Sequence, residues 1–176
     1  MSTARRSTQQ RARSKEGARP RAPSRTPTLR RNLPLLLLQA REGVLAHFRP
    51  LLNAHGVTEQ QWRVLRALLA EDEALEPRQI GALCRISSPS LAGVLARMDE
   101  LGLVQRERTP HDQRRVLVSL TRKSRDLVAA MAPQVEAVYA RIESHIGADF
   151  VQRFYATLDE LIGLLQEMPE EDSDAA

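Results

Sequence analysis

The spacing of apolar side chains changes period at Gly102. Upstream, Leu91, Val94, Leu95, Met98 and Leu101 recur at i, i+3, i+4, i+7 and i+10, the stripe of an amphipathic helix that glycine then stops. Downstream, residues 103–108 and 114–120 fit two short strands, and residues 109–113, rich in turn formers, read as the loop between them. Before the helix, Ser88 reads as an N-cap with Pro89 at the first helical position. A tight turn through residues 85–87 joins it to a short helix opened by Pro77, with Ile80, Leu83 and Cys84 on its inner side. Two short helices, a tight turn, an amphipathic helix and a basic hairpin make a winged helix-turn-helix.

The flanks are helical. From Leu33 to about residue 52 an apolar stripe includes Leu37, Val44, Leu45, Phe48, Leu51 and Leu52, with Asn32 as N-cap, Pro34 in the first turn and Gly56 at the stop. Residues 58–61 (Thr-Glu-Gln-Gln) form a capping box, so a second helix starts there and buries Trp62, Leu65, Leu68 and Leu69. Thr121 caps a long helix with the stripe Leu127, Met131, Val135, Val138, Ile142 and Ile146, kinked by Pro133. A last helix carries Val151, Phe154, Leu158, Leu161, Ile162 and Leu165. The first and last helices are too apolar for the surface of a small monomer, which implies a C₂ homodimer. The expected fold class is therefore mainly α with a small β-hairpin, dimerising through the N- and C-terminal helices.

Charge divides the chain unevenly. The formal net charge is +4, yet residues 1–31 hold nine arginines and a lysine against Glu16 alone, so this segment carries +9 and the remainder −5. With almost no large apolar side chain, residues 1–31 cannot offset the entropy of ordering and are expected to be a disordered basic arm. The arm is either a solvated extension or a source of nonspecific attraction to nucleic acid. It has no apolar core of a secretory signal and lacks the amphipathic face of an organellar transit peptide. Residues 169–176, with Glu170, Glu171, Asp172 and Asp174, read as an acidic disordered tail. Between them, residues 32–168 form the domain, with a DNA-reading lobe at about 58–120.

Composition removes several function classes. Aromatic residues are 3% of the chain, too few for a base-stacking RNA-binding sheet. The single cysteine, Cys84, excludes an internal disulfide framework and fits a reducing cytoplasm. His47, His55, His111 and His145 stand far apart, so no metal site or other cofactor is expected. No apolar run approaches the roughly 18 residues of a membrane span. Nucleophile elbow, phosphate loop and metal-ligand spacing are all missing from the sequence, so no enzyme is expected and no catalytic residue is named.

The outward face of the helix before Gly102 carries Ser88, Ser90, Gly93 and Arg97. Small side chains let a helix approach the major groove closely, while hydroxyls and an arginine reach phosphates and base edges. A merely solvated face would more usually carry Glu and Lys.

At the hairpin, Asp112-Gln-Arg114 followed by Leu120-Thr121 resembles the wing signature of the MarR family. Residues 95–104 (Leu-Ala-Arg-Met-Asp-Glu-Leu-Gly-Leu-Val) resemble its recognition helix running into the wing. The order of elements agrees from residue 33 to 165. Ser124 departs from the pattern, where the family usually has Gly, and the turn before the recognition helix also lacks one. Residues 36–42, 48–50 and 58–63 further resemble the homoprotocatechuate degradation operon regulator subgroup. That resemblance implies a repressor of an aromatic-acid catabolic operon, released by a small aromatic carboxylate. A constitutive architectural DNA-binding protein without an effector is the alternative.

On this reading the partners are double-stranded DNA with a pseudo-palindromic operator, a second copy of the chain and an aromatic acid effector, with no membrane. Arg114 at the wing tip suits the minor groove, and Asp112 either orients its guanidinium or is simply a turn residue. Arg106, Arg108 and Arg115 suit phosphate contacts. In the resembled family, effectors bind between the dimer helices and the DNA-reading lobe, where Arg41, His47, Arg49, Trp62 and Arg63 are the candidates. Arg41 stands first because it interrupts an apolar helix. The plainer alternative makes Trp62 core and Arg49 and Arg63 surface pairs. A peroxide-sensing role, as cysteines have in some relatives, is the alternative for Cys84, which on the buried side of its helix reads as packing.

Overall fold

Three helix starts follow from side chains that satisfy otherwise orphaned N–H groups. The computed structural model describes residues 30–109 and 112–169, without the side chains of residues 109 and 112–114. Asn32 caps α1 (Leu33–Ala54), accepting from Leu35 N at 3.0 Å. The capping box opens α2 (Glu59–Glu71): Thr58 Oγ1 accepts from Gln61 N, and Thr58 N donates to Gln61 Oε1 at 2.9 Å. Thr121 caps α5 (Arg122–Ile146) by accepting from Ser124 N at 3.2 Å. Ser124 is fully buried and donates to Thr121 O at 2.9 Å, so the departure from glycine is accommodated by a hydrogen bond.

Between these lie α3 (Pro77–Cys84), α4 (Ser88–Glu100), β1 (Val104–Thr109) and β2 (Asp112–Leu120), and α6 (Ala148–Glu167) closes the described chain. The α4 N-cap is Ser87 rather than Ser88, which moves Pro89 to the second position of the helix. Ser87 makes no side-chain cap; its hydroxyl donates to Ser90 Oγ at 3.1 Å instead.

The hairpin also differs from expectation. Thr109 pairs with Asp112, so the strands reach into the expected 109–113 loop and only residues 110 and 111 separate them. A register irregularity between Arg108 and Thr109 absorbs the shift. Leu75 adds a short bridge to Val118, anchoring β2 to the segment before α3.

The core gathers around α2. Val64, Leu65 and Leu68 meet Ile80 of α3, Leu91, Leu95 and Met98 of α4, Val104 and Val118 of the hairpin, and Met131 of α5. Phe48 of α1 packs edge-on against Tyr139 of α5 with ring centroids 5.0 Å apart. Three expected core positions lie elsewhere. Leu83 is 52% exposed and Leu69 is also exposed, each lying off the stripe its helix turns inward. Ile146 is exposed because no residue of α5 beyond Val138 is fully buried.

The turn between α3 and α4 is tight. Ile86 N donates to Gly81 O at 3.0 Å, and a Cβ on Gly81 would stand 3.2 Å from Ile86 O. Arg85 takes the left-handed conformation there (φ 49°), a position where glycine is cheaper. The other end of α4 is held by α5: Thr121 Oγ1 donates to Gly102 O at 2.8 Å and Lys123 Nζ to Leu101 O at 2.7 Å. Both ends of α4 are thus tied to neighbouring elements.

Candidate nucleic-acid interface and effector cavity

The buried stripe of α4 turns its other side outward. Ser88, Ser90, Gly93 and Arg97 are all exposed. Ser90, Gly93 and Arg97 form one wall of an open groove of about 410 Å³, and Thr58, Gln60 and Gln61 at the start of α2 form the other. The capping box located the start of α2 in the sequence, but nothing local placed that start beside α4.

Several cations are already paired. Arg97 Nη1 lies 2.9 Å from Glu100 Oε2, and Arg106 Nε lies 3.6 Å from Asp99 Oδ2, joining β1 to the end of α4. Arg115 pairs with Glu76 across to the start of α3. Arg108 is exposed, and the register sets it opposite Val116. Asp112 and Arg114 stand near the start of β2; their side chains lie outside the described residues, as does the arm up to residue 29 and the tail from residue 170.

A second cavity, of about 470 Å³, opens where α1, α2, α3 and α5 meet, a volume in the range of small-molecule clefts. Its walls are mainly apolar, with Leu45, Phe48 and Trp62, and its polar lining comprises Arg63, Arg66, Glu71, Cys84 and Tyr139, so two cations outnumber one carboxylate. Arg66 Nη1 donates to Tyr139 Oη at 3.4 Å. Arg63 Nη1 donates to the Cys84 carbonyl at 2.7 Å, and Arg63 Nε is buried with no hydrogen-bond partner.

Of the five residues expected to bind an effector, the cavity brings together Trp62 and Arg63. Arg41 is no buried guanidinium: its side chain is 44% exposed and pairs with Glu42 and Glu59. Arg49 pairs with the same Glu42, and neither it nor the exposed His47 lines the cavity. The Arg49 hydrogen bond, then the charges of Arg49 and Arg41, hold Glu42 below the usual carboxylate range. Sequence reasoning missed Arg66 and Tyr139, which are 73 positions apart and meet only through packing. The spacing of Trp62 and Arg66, i and i+4 on one helix, was the available signal.

Cys84 is buried, and desolvation pushes its thiol up against the opposing charge of Arg63. A thiol kept protonated is a poor nucleophile, in keeping with packing. Among the described residues, no three His, Cys, Asp or Glu side chains gather as a metal site, and no helix is long and apolar enough to cross a membrane.

A sequence profile described as the MarR family matches residues 55–115. The homoprotocatechuate degradative operon repressor of Escherichia coli is 38% identical over 133 residues, covering 76% of this chain and 89% of the relative. The chain belongs to the MarR family. Among solved MarR-type folds, transcriptional regulator PA4135 superposes with a TM-score of 0.72 at 41% identity, over 80% of this chain and all of the other. NadR in complex with 4-hydroxyphenylacetate superposes at 0.61 with 37% identity, over 72% of this chain and 89% of NadR. In this MarR-family chain the helix-turn-helix is α3–α4 and the wing is β1–β2.

Proposed function

We propose that this MarR-family chain is a homodimeric repressor of an aromatic-acid catabolic operon, released from DNA by a small aromatic carboxylate. The cavity carries this reading: a tryptophan wall, two guanidinium groups and a tyrosine hydroxyl line one space beside the helix-turn-helix, where the two cations outnumber the one carboxylate, Glu71. Arg66 supplies the charge-assisted pair for the carboxylate, Trp62 and Phe48 supply the apolar walls, and Tyr139 suits a ring hydroxyl. NadR, similar in sequence and fold, is known bound to 4-hydroxyphenylacetate. Arg41, Arg49 and His47 take no part in the cavity; Arg41 pairs with Glu59 and so joins α1 to α2, while Arg49 pairs with Glu42 within α1.

In the DNA complex α4 lies in the major groove, with Ser88, Ser90 and Arg97 toward base edges and the backbone. Arg106, Arg108 and Arg115 contact phosphates. The pairs that hold Arg106 and Arg115 are at least partly exposed, and such pairs contribute about 0–1 kcal/mol, so a phosphate displaces them readily. Arg114, oriented by Asp112, enters the minor groove. The second copy covers Leu35, Leu36 and Leu37 of α1 and Phe154, Ile162 and Leu165 of α6, all exposed in the single chain. Two wings and two recognition helices then read half-sites about one helical turn apart. No catalytic role is assigned, and a regulator of this kind works in the cytoplasm.

The test is an electrophoretic mobility shift on the DNA upstream of the protein's own gene, with and without hydroxylated phenylacetates and benzoates. Retarded DNA released by at least one such acid is expected. Arg66→Ala is expected to keep DNA binding and weaken the acid about tenfold or more, because a hydrogen bond to a charged group contributes about 1.5–3 kcal/mol. Binding that ignores both sequence and acids would establish the architectural alternative instead.

The basic arm adds a separate prediction. Deleting residues 1–30 is expected to preserve thermal stability and operator preference while flattening the salt dependence of binding, since each phosphate neutralised contributes about 0.9 to that slope. Titrations at several salt concentrations check it; an unchanged slope means the arm makes no lasting phosphate contact.

A further inference from the structure

The left-handed Arg85 and the close approach of Gly81 to Ile86 make the α3–α4 turn a strained, narrow connection. One side chain reaches across to hold it. Arg63 Nη1 of α2 donates to Cys84 O, the last carbonyl of α3, at 2.7 Å. This carbonyl stands at a helix C-terminus, where backbone acceptors lack intrahelical donors and carry partial negative charge. The same guanidinium lines the cavity, and among the described cavity-lining side chains it alone donates to the backbone of this turn.

Arg63 is not fully committed. Its Nε is buried without a hydrogen-bond partner, and the nearest carboxylate, Glu59 Oε1, is 3.9 Å away and already paired with Arg41. The side chain is 34% exposed and the Glu59 pair is long, so this buried N–H, which makes no hydrogen bond, is open to a better-placed anionic acceptor.

We propose that Arg63 is the positioning residue that passes occupancy of the cavity to the recognition helix. The inference rests on the aromatic-carboxylate reading above and deepens it. A carboxylate in the cavity offers Arg63 a charge-assisted bond, roughly twice as strong as one to a neutral carbonyl. The guanidinium turns toward the acid and its hold on Cys84 O loosens. The turn relaxes and the N-terminal end of α4 shifts, while Thr121 and Lys123 keep the C-terminal end tied to α5. A helix fixed at one end and released at the other tilts. Arg66 contributes affinity; Arg63 contributes the coupling.

The coupling is the ratio of operator affinities without and with acid, and reciprocity makes it a property of the two binding equilibria alone. The experiment uses the full chain with 4-hydroxyphenylacetate as probe. Acid binding is followed by calorimetry and by the fluorescence of Trp62, the only tryptophan. Operator affinity is measured with and without saturating acid. Arg63→Met is expected to bring the ligand-free operator affinity down to the level of the acid-saturated wild type, and the ratio to within twofold of one. Should that variant fail to fold, Arg63→Lys serves, because it keeps the charge but lacks the paired Nε–Nη edge; its ratio is also expected to fall toward one. Either folded variant released by acid with the wild-type ratio overturns the role of Arg63 and leaves the effector reading standing. A wild-type protein that binds the acid nowhere overturns both.

Discussion

Arg114→Ala is expected to weaken operator binding severely while leaving the dimer folded. A positioned arginine contact in a groove contributes about 1–3 kcal/mol, roughly fivefold to over a hundredfold, and a dimer presents two. The residue lies in β2, within a wing whose paired strands leave only residues 110 and 111 between them. Fluorescence anisotropy on a labelled operator, paired with thermal unfolding, checks the prediction. Affinity within twofold of wild type removes the wing from the DNA-reading surface. A matched loss for nonspecific DNA would make Arg114 a phosphate contact instead, since backbone contacts weaken all sequences alike.

Leu65→Ala is expected to have the largest effect on stability. Leu65 is 0% exposed, on the helix that carries core on one side and the cavity residues Trp62, Arg63 and Arg66 on the other. Truncating a fully buried leucine costs about 2–5 kcal/mol, the spread depending on how far the surroundings collapse. That is a large share of the 5–15 kcal/mol by which domains are usually stable. Urea denaturation at fixed protein concentration checks it, because the proposed dimer would make apparent stability concentration-dependent. Leu83→Ala is the control: with Leu83 52% exposed, its midpoint is expected to move little. Equal shifts for the two would mean that the two leucines are buried alike in solution.

Much of the fold was legible because it is decided locally. Asn32, Thr58 and Thr121 each bond an N–H three residues on, so a short window of sequence contains the whole interaction. The change of period at Gly102 is equally local, and it placed the recognition helix beside the wing. The family signature marked the same elements. These readings slipped by one residue at Ser87, whose hydroxyl bonds Ser90 Oγ rather than capping the helix, and by the reach of the strands to residue 112, where the cross-strand ladder continues.

The site was decided by tertiary structure. Arg41, Arg49, Arg63 and Arg66 look alike in a sequence: cations on helices with apolar neighbours. Which of them faces a cavity depends on how α1, α2 and α5 cross. Arg41 met Glu59, Arg66 met Tyr139, and Arg63 met a carbonyl 21 residues away. A long side chain reaches several angstroms in any direction its helix allows, so its partner follows from the placement of another element. Sequence alone determined the capped starts of α1, α2 and α5, most of each buried stripe and the order of the winged-helix elements, which rest on spacing within one segment. Tertiary structure alone decided which arginine holds the turn and which faces the cavity, because those pairings join segments that periodicity never relates.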